Sequence, residues 1–240
     1  MPKDHGIGAS SKRREDVRFL TGEGNYTDDI NVNGQAHVYF LRSDIAHGVL
    51  NSVDTSAAEG MPGVVKLFTG ADFEAVGSVP CGWQVTDKHG EPMQEPRHPV
   101  LAHGKVRHVG EPIAAVVAET LEQARDAAEA IVVNITDLPA VVDMKEAVKA
   151  DAPKVHDDLT SNLCYDWGFV EENKGAVDAA FEEAAHVTTL ELVNNRLVAN
   201  PMEPRVAVGD YARGTGDHTL YTTSQNPHVI RLLMGAFVLG

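Results

Sequence analysis

One stretch constrains the fold more than any other. Ile113–Ala118 is apolar almost throughout and runs directly into an amphipathic helix whose start signal is in place. A short apolar run of this kind reads as a strand covered on both faces. Behind it, Leu121, Ala124, Ala128 and Ile131 recur at helical spacing, while Glu122, Arg125, Asp126 and Glu129 take the other face of Leu121–Ile131. Thr120 and Gln123 form the capping-box pair that sets the helix start. Ile131–Thr136 then reads as a second strand, so strand, helix and strand make a βαβ-like unit. The helix is expected to bury its four apolar residues against a sheet containing Ile113–Val117.

Elements upstream of this unit follow from period-2 patterning and β-branched or aromatic enrichment. Strands are expected at Gln35–Arg42, Val49–Asp54 (Val49, Asn51 and Val53 on one side), Val64–Phe68 and Lys105–Val109. Pro80–Pro99, rich in Pro, Gly and charge, reads as a long surface excursion. After a polar connection, Val177–Ala184 reads as a short helix and Val187–Asn194, Arg205–Tyr211 and His218–Ser224 as strands. Asn226 followed by Pro227 reads as an N-cap and first helical position, with Val229, Leu232, Leu233 and Phe237 as the apolar stripe behind them. The expected division is a loose segment over 1–18, a compact α+β domain over 19–138, a linker over 139–160 and an incomplete α/β piece over 161–240.

Charge excludes several functions. Twenty Lys+Arg against 35 Asp+Glu leave a formal charge of −15, the wrong sign for binding nucleic-acid phosphates or an anionic membrane surface. No run approaches the length of a membrane span, and the N-terminus lacks the apolar core of a secretory signal. Two cysteines, Cys81 and Cys164, cannot supply an iron–sulfur cluster or a four-thiolate zinc site. A cytoplasmic location is the expectation.

Several motifs invite a chemical reading and fail on context. Asp29-Ile-Asn31-Val-Asn33-Gly34 begins like a calcium loop, but its twelfth position is Phe40 rather than a glutamate. Gly6-Ile-Gly8 and Gly22-Glu-Gly24 neither follow a strand nor open a helix, which a phosphate loop requires. His98, His103 and His108 share no helix face, and spacing alone assigns them no metal. Glu122, Asp126 and Glu129 form a solvated helix face interleaved by Arg125. No Gly-x-Ser-x-Gly elbow is present.

Two stretches stand apart. Val198–Arg205 holds Glu203 between two prolines, beside Arg205, and Thr222–His228 places Gln225 at the very end of a strand, immediately before a capped helix. Ligands are commonly held where a strand end faces a helix start, and an amide there can donate one hydrogen bond while accepting another. On the residues alone, Gln225 as a loop residue and Glu203–Arg205 as a structural ion pair remain open.

At these positions the sequence resembles the molybdopterin-binding large subunit of the xanthine dehydrogenase / aldehyde oxidase / aerobic carbon monoxide dehydrogenase family. The resemblance is carried in order by Arg18–Asp29, Arg42–His47, Asp54–Ser56 with Met61–Val64, His108–Glu119, Asn200–Arg205 and Ser224–Arg231. It implies an a/b hammerhead domain over 19–138, followed by the start of the first molybdopterin-binding domain. It further implies a molybdenum-dependent oxidoreductase that hydroxylates a small molecule (carbon monoxide, an aldehyde or an N-heterocycle) with oxygen drawn from water. The cofactor would be molybdenum-molybdopterin in its cytosine dinucleotide form, and electrons would pass to an iron–sulfur subunit and an FAD-binding subunit. Gln225 matches the family's glutamine that hydrogen-bonds the apical oxo ligand of molybdenum. The family's glycine-rich cofactor loop, its catalytic glutamate and most pterin contacts match nothing in this sequence, so no catalytic residue and no metal ligand is assigned. Gln225–Arg231 reads closer to the carbon monoxide branch. A non-catalytic scaffold or assembly module, or one half of a split large subunit, is the alternative.

Overall fold

A computed structural model of the chain describes residues 6–76, 78–168 and 173–239. Residues 1–5 of the expected N-terminal segment, together with 77, 169–172 and 240, lie outside the described residues. In chain order the elements are α1 (Asp16–Leu20), β1 (His37–Arg42), β2 (Gly48–Asp54), α2 (Ser56–Glu59), β3 (Val64–Thr69), β4 (Lys105–Val106), β5 (Pro112–Ala118), α3 (Leu121–Glu129), β6 (Val132–Asp137), α4 (Met144–Ala147), α5 (Lys174–Glu183), β7 (Ala207–Ala212), β8 (Asp217–Thr222) and α6 (Pro227–Met234). They fall into two compact units, one of Ala36–Leu192 with Asn226–Gly240 and one of Met1–Gln35 with Val193–Gln225.

The first of these units is α+β. It holds two three-stranded sheets, β1-β5-β3 and β4-β2-β6, and every pairing in them is antiparallel. The expected βαβ-like unit therefore does not form. Both edges of β5 are occupied, by β1 and β3, so β6 crosses to the other sheet and pairs with β2.

Alternation along β5 builds two cores. Ala114, Val116 and Ala118 pack under α3 with Ala58, Ala124, Ala127, Ala128 and Ile131. Ile113 joins Leu50, Ala102 and Val106 in the second cluster. A strand buried on both faces is what its apolar run requires. The α3 seam differs in one residue from the expected set. Ala127 is fully buried, while Leu121, in the first turn, is only half-buried. Small side chains let the helix lie close on the sheet, and a leucine at the helix start lies at the rim of that contact.

The start of α3 is the capping box that the sequence indicates. Gln123 N–H donates to the Thr120 hydroxyl at 3.2 Å, and Thr120 N–H to Gln123 Oε1 at 3.1 Å. Gly63 packs on this cap. Its φ is +77°, its carbonyl accepts the Glu119 N–H at 2.9 Å, and a Cβ there would strike the Gln123 carboxamide.

In β2 a bulge at Leu50/Ser52 overturns the expected alternation. Leu50 is buried, and Asn51 turns outward to donate to Asn134 Oδ1 and Thr136 Oγ1 at 3.0 and 2.8 Å. The Lys105–Val109 strand shrinks to β4. The excursion 80–99 carries a hairpin in which Met93 N–H donates to Val85 O and Asp87 N–H to Glu91 O. Gln94 and Lys88 N–H extend it by donating to the carbonyls of Cys164 and Asp166, at 2.9 and 2.8 Å.

The other unit contains α1, the 3₁₀ turn Thr27–Asp29 and the β7–β8 hairpin, paired from Ala207–Thr222 to Ala212–Asp217. Val187–Asn194 forms no strand, because no second strand pairs with it among the described residues. Among those residues, none beyond Ile131 is buried, and no helix is long and apolar enough to cross a membrane.

Candidate functional site

The carboxylate of Glu203 gathers donors from two distant parts of its unit. Oε1 accepts the backbone N–H of Thr27 at 3.1 Å and the Thr27 hydroxyl at 3.2 Å. Thr223 also hydrogen-bonds this carboxylate, and its hydroxyl lies 3.5 Å from that of Thr27. These donors favour the anion. The Thr27 N–H, followed by the Thr223 hydroxyl, holds Glu203 below its ordinary value of 4.5, against a smaller upward push from desolvation. No ion pair joins Glu203 to Arg205 among the described residues, so the structural ion pair open at the sequence level is replaced by a carboxylate–threonine node.

Local chemistry explains why Thr27 is available. The turn Thr27–Asp29 is closed by Tyr26 N–H donating to Asp29 Oδ2 at 2.8 Å. Asp29 thus acts as a turn-closing acceptor. Tyr26 stacks on Phe19 with ring centroids 5.7 Å apart, and Gly24 leaves room for the Phe19 ring, which a Cβ would strike. Thr27 itself is buried.

Gln225 lies three residues beyond the end of β8 and two beyond Thr223. Its side chain is exposed, and among the described residues no group hydrogen-bonds it. Asn226 occupies the N-cap position of α6 and Pro227 the first helical position, but the Asn226 side chain makes no capping hydrogen bond. With φ −131° and ψ 65° its backbone is turned off the extended N-cap geometry; its carbonyl accepts the Ile230 N–H at 3.0 Å. The arrangement leaves a neutral carboxamide with unspent donors and acceptor on a backbone anchored two residues earlier. Such a group suits a hydrogen bond to an oxygen-bearing cofactor without adding charge, so this residue fits the expected cofactor.

The remaining sequence candidates do not converge. His98 stacks edge-on with His156, His108 Nδ1 lies 3.8 Å from Glu111, and His103 is exposed. No cluster of three or more potential metal ligands exists among the described residues. Thr27 and Thr223 escaped the sequence reading, because contacts 176 and 196 residues apart leave no trace in spacing.

Comparison with known proteins gives this geometry its context. Residues 21–139 match the family model of the aldehyde oxidase and xanthine dehydrogenase a/b hammerhead domain, and residues 155–240 match that of the molybdopterin cofactor-binding domain. The chain belongs to the aldehyde oxidase and xanthine dehydrogenase family. Among relatives, it is 34 % identical over 232 residues to the nicotine 6-hydroxylase large subunit of Paenarthrobacter nicotinovorans, covering 97 % of this chain and 28 % of that protein. It is 33 % identical to the carbon monoxide dehydrogenase large chain of Hydrogenophaga pseudoflava, covering 92 % and 28 %. The crystal structure of quinoline 2-oxidoreductase from Pseudomonas putida 86 superposes with a TM-score of 0.82 at 33 % identity, over 100 % of this chain and 29 % of that one. The chain thus spans under a third of the length of these members of the family. Identities of 34 and 33 % to a nicotine and a carbon monoxide enzyme do not separate the family's branches.

Proposed function

We propose that these residues are the N-terminal part of the large subunit of a molybdenum hydroxylase acting on a small molecule. The observation that carries this reading is the tandem order of a hammerhead domain and a molybdopterin cofactor-binding domain in one chain. When bound, the cofactor supplies a two-electron oxidation in which the added oxygen comes from water. Its pterin is taken to be the cytosine dinucleotide form, and the electrons to leave through a separate iron–sulfur subunit and an FAD-binding subunit, since Cys81 and Cys164 cannot hold a cluster.

Within this chain, Gln225 is the residue proposed to face the cofactor. Its carboxamide would donate a hydrogen bond and orient an oxygen of the cofactor, the kind of outer contact that tunes a metal's ligands. Glu203, through Thr27 and Thr223, positions the backbone that carries Gln225. Its Oε1 is already committed to donors, which suits an anchor better than a base.

The test is purification of the complete large subunit with its partners, followed by metal analysis and oxidation assays in ¹⁸O-labelled water. Bound molybdenum and labelled product are the expected outcome. A purified complex that binds no molybdenum would support the scaffold reading instead.

A further inference from the structure

We propose that residues 155–163 form a clasp over an apolar cavity of the hammerhead unit, and that protonation of His156 releases it. The cavity, about 560 Å³, lies between residues 78–98 and the segment 155–164, with Val79, Pro96, Val155, Leu159 and Leu163 among its walls. Most of its polar lining is committed. The Asn162 carboxamide accepts the Val155 N–H and donates to the carbonyls of Ala147 and Pro153. The Ser161 hydroxyl accepts the Leu163 N–H, and the Ser78 hydroxyl the His98 N–H.

Two imidazoles remain. His98 from one wall meets His156 from the other edge-to-face, with ring centroids 6.2 Å apart. A second tie is the ion pair of Lys105 Nζ with Asp157 at 2.6 Å, its lysine end largely buried. The charged surroundings are mixed. Arg107 and His98 disfavour a charged His156, and the acids Asp158 and Glu111 favour it. Glu111 is buried and already accepts the Arg107 N–H, while His47 and Arg107 also act on Asp157.

Partial burial, then Arg107 and then His98, depress His156 below the ordinary histidine value. The docked clasp therefore favours a neutral His156 ring. An undocked segment escapes Arg107 and regains the ordinary value, near 6.5, so the open state binds more protons. Docking is complete above that value and weakens as the pH falls below it. The Lys105 partnership depresses the Asp157 carboxylate, so this tie outlasts the imidazole contact and loosening in mild acid belongs to His156. Release would expose the cavity's apolar wall.

Amide hydrogen exchange on the full chain at about pH 7.5 and about pH 5.5, either side of the histidine range and corrected for intrinsic rates, reads this directly. The reporters are the Gln94 and Lys88 amides, which bond from the excursion to the Cys164 and Asp166 carbonyls at the clasp's C-terminal end. Several-fold loss of their protection at the lower pH is expected, with the β5 amides unchanged. His156→Gln should abolish that pH dependence, and His98→Gln, which leaves burial and Arg107 in place, should only reduce it. Equal protection at both pH values, or an unaltered pH dependence in His156→Gln, overturns the proposal.

Discussion

Glu203 accepts both the backbone N–H and the hydroxyl of Thr27, 176 residues earlier in the chain. With Thr223 on the same carboxylate, this links the N-terminal turn, the segment ahead of β7 and the segment behind β8. Glu203→Ala should loosen the N-terminal turn, seen as faster tryptic cleavage at Arg13, Arg14 and Arg18. Thr27→Val should do less, because it removes the hydroxyl and keeps the N–H. The pKa of Glu203 is depressed in the fold, so the link is intact above its ordinary 4.5 and is lost only as the pH falls below that value. Cleavage rates that are the same for wild type and Glu203→Ala would remove the node from the account of this unit.

Gly63→Ala tests the cap of α3. The substitution forces a left-handed φ on an alanine and drives its Cβ into the Gln123 carboxamide. Backbone strain and a disturbed capping box together should cost roughly 1–3 kcal/mol. Urea unfolding measures this, and a loss below about 0.5 kcal/mol, typical of surface changes, would contradict the geometry.

The alanine seam of α3 leaves no room for a larger side chain at Ala127, which is fully buried. Ala127→Leu should therefore destabilise by about 1–3 kcal/mol through overpacking. Leu121→Ala should fall short of the roughly 2–5 kcal/mol of a buried leucine, since Leu121 is half-buried. If Leu121→Ala were the costlier of the two, the seam would be misplaced.

Gln225→Ala in the complete enzyme should keep the fold and most of the molybdenum but lower turnover. Loss of one hydrogen bond to a charged group is worth about 1.5–3 kcal/mol, a slowing of roughly ten- to a hundred-fold. Steady-state rates normalised to bound molybdenum decide the matter. Wild-type turnover at full occupancy would return Gln225 to the status of a loop residue.

Local chemistry was legible in the sequence wherever one short stretch contained both cause and consequence. Thr120 and Gln123 cap α3 as their spacing requires, the apolar run of β5 is buried on both faces, and Pro227 opens α6. Family motifs in a fixed order marked the whole chain, whereas the strand expected to end at Gln225 stops at Thr222 and the expected Asn226 side-chain cap does not form. Only the tertiary structure decided what depended on partners distant in sequence. β6 left the βαβ-like path because β1 and β3 already held both edges of β5, and the bulge in β2 brought Val53 to the same cluster as Leu50 while Asn51 faces outward. Val187–Asn194 has strand composition and forms no strand, since composition cannot supply the second set of backbone hydrogen bonds that a strand needs. Glu203 lies two residues from Arg205 and bonds Thr27 instead. Sequence proximity sets which groups can meet cheaply, whereas the folded backbone sets which donors actually point at a carboxylate.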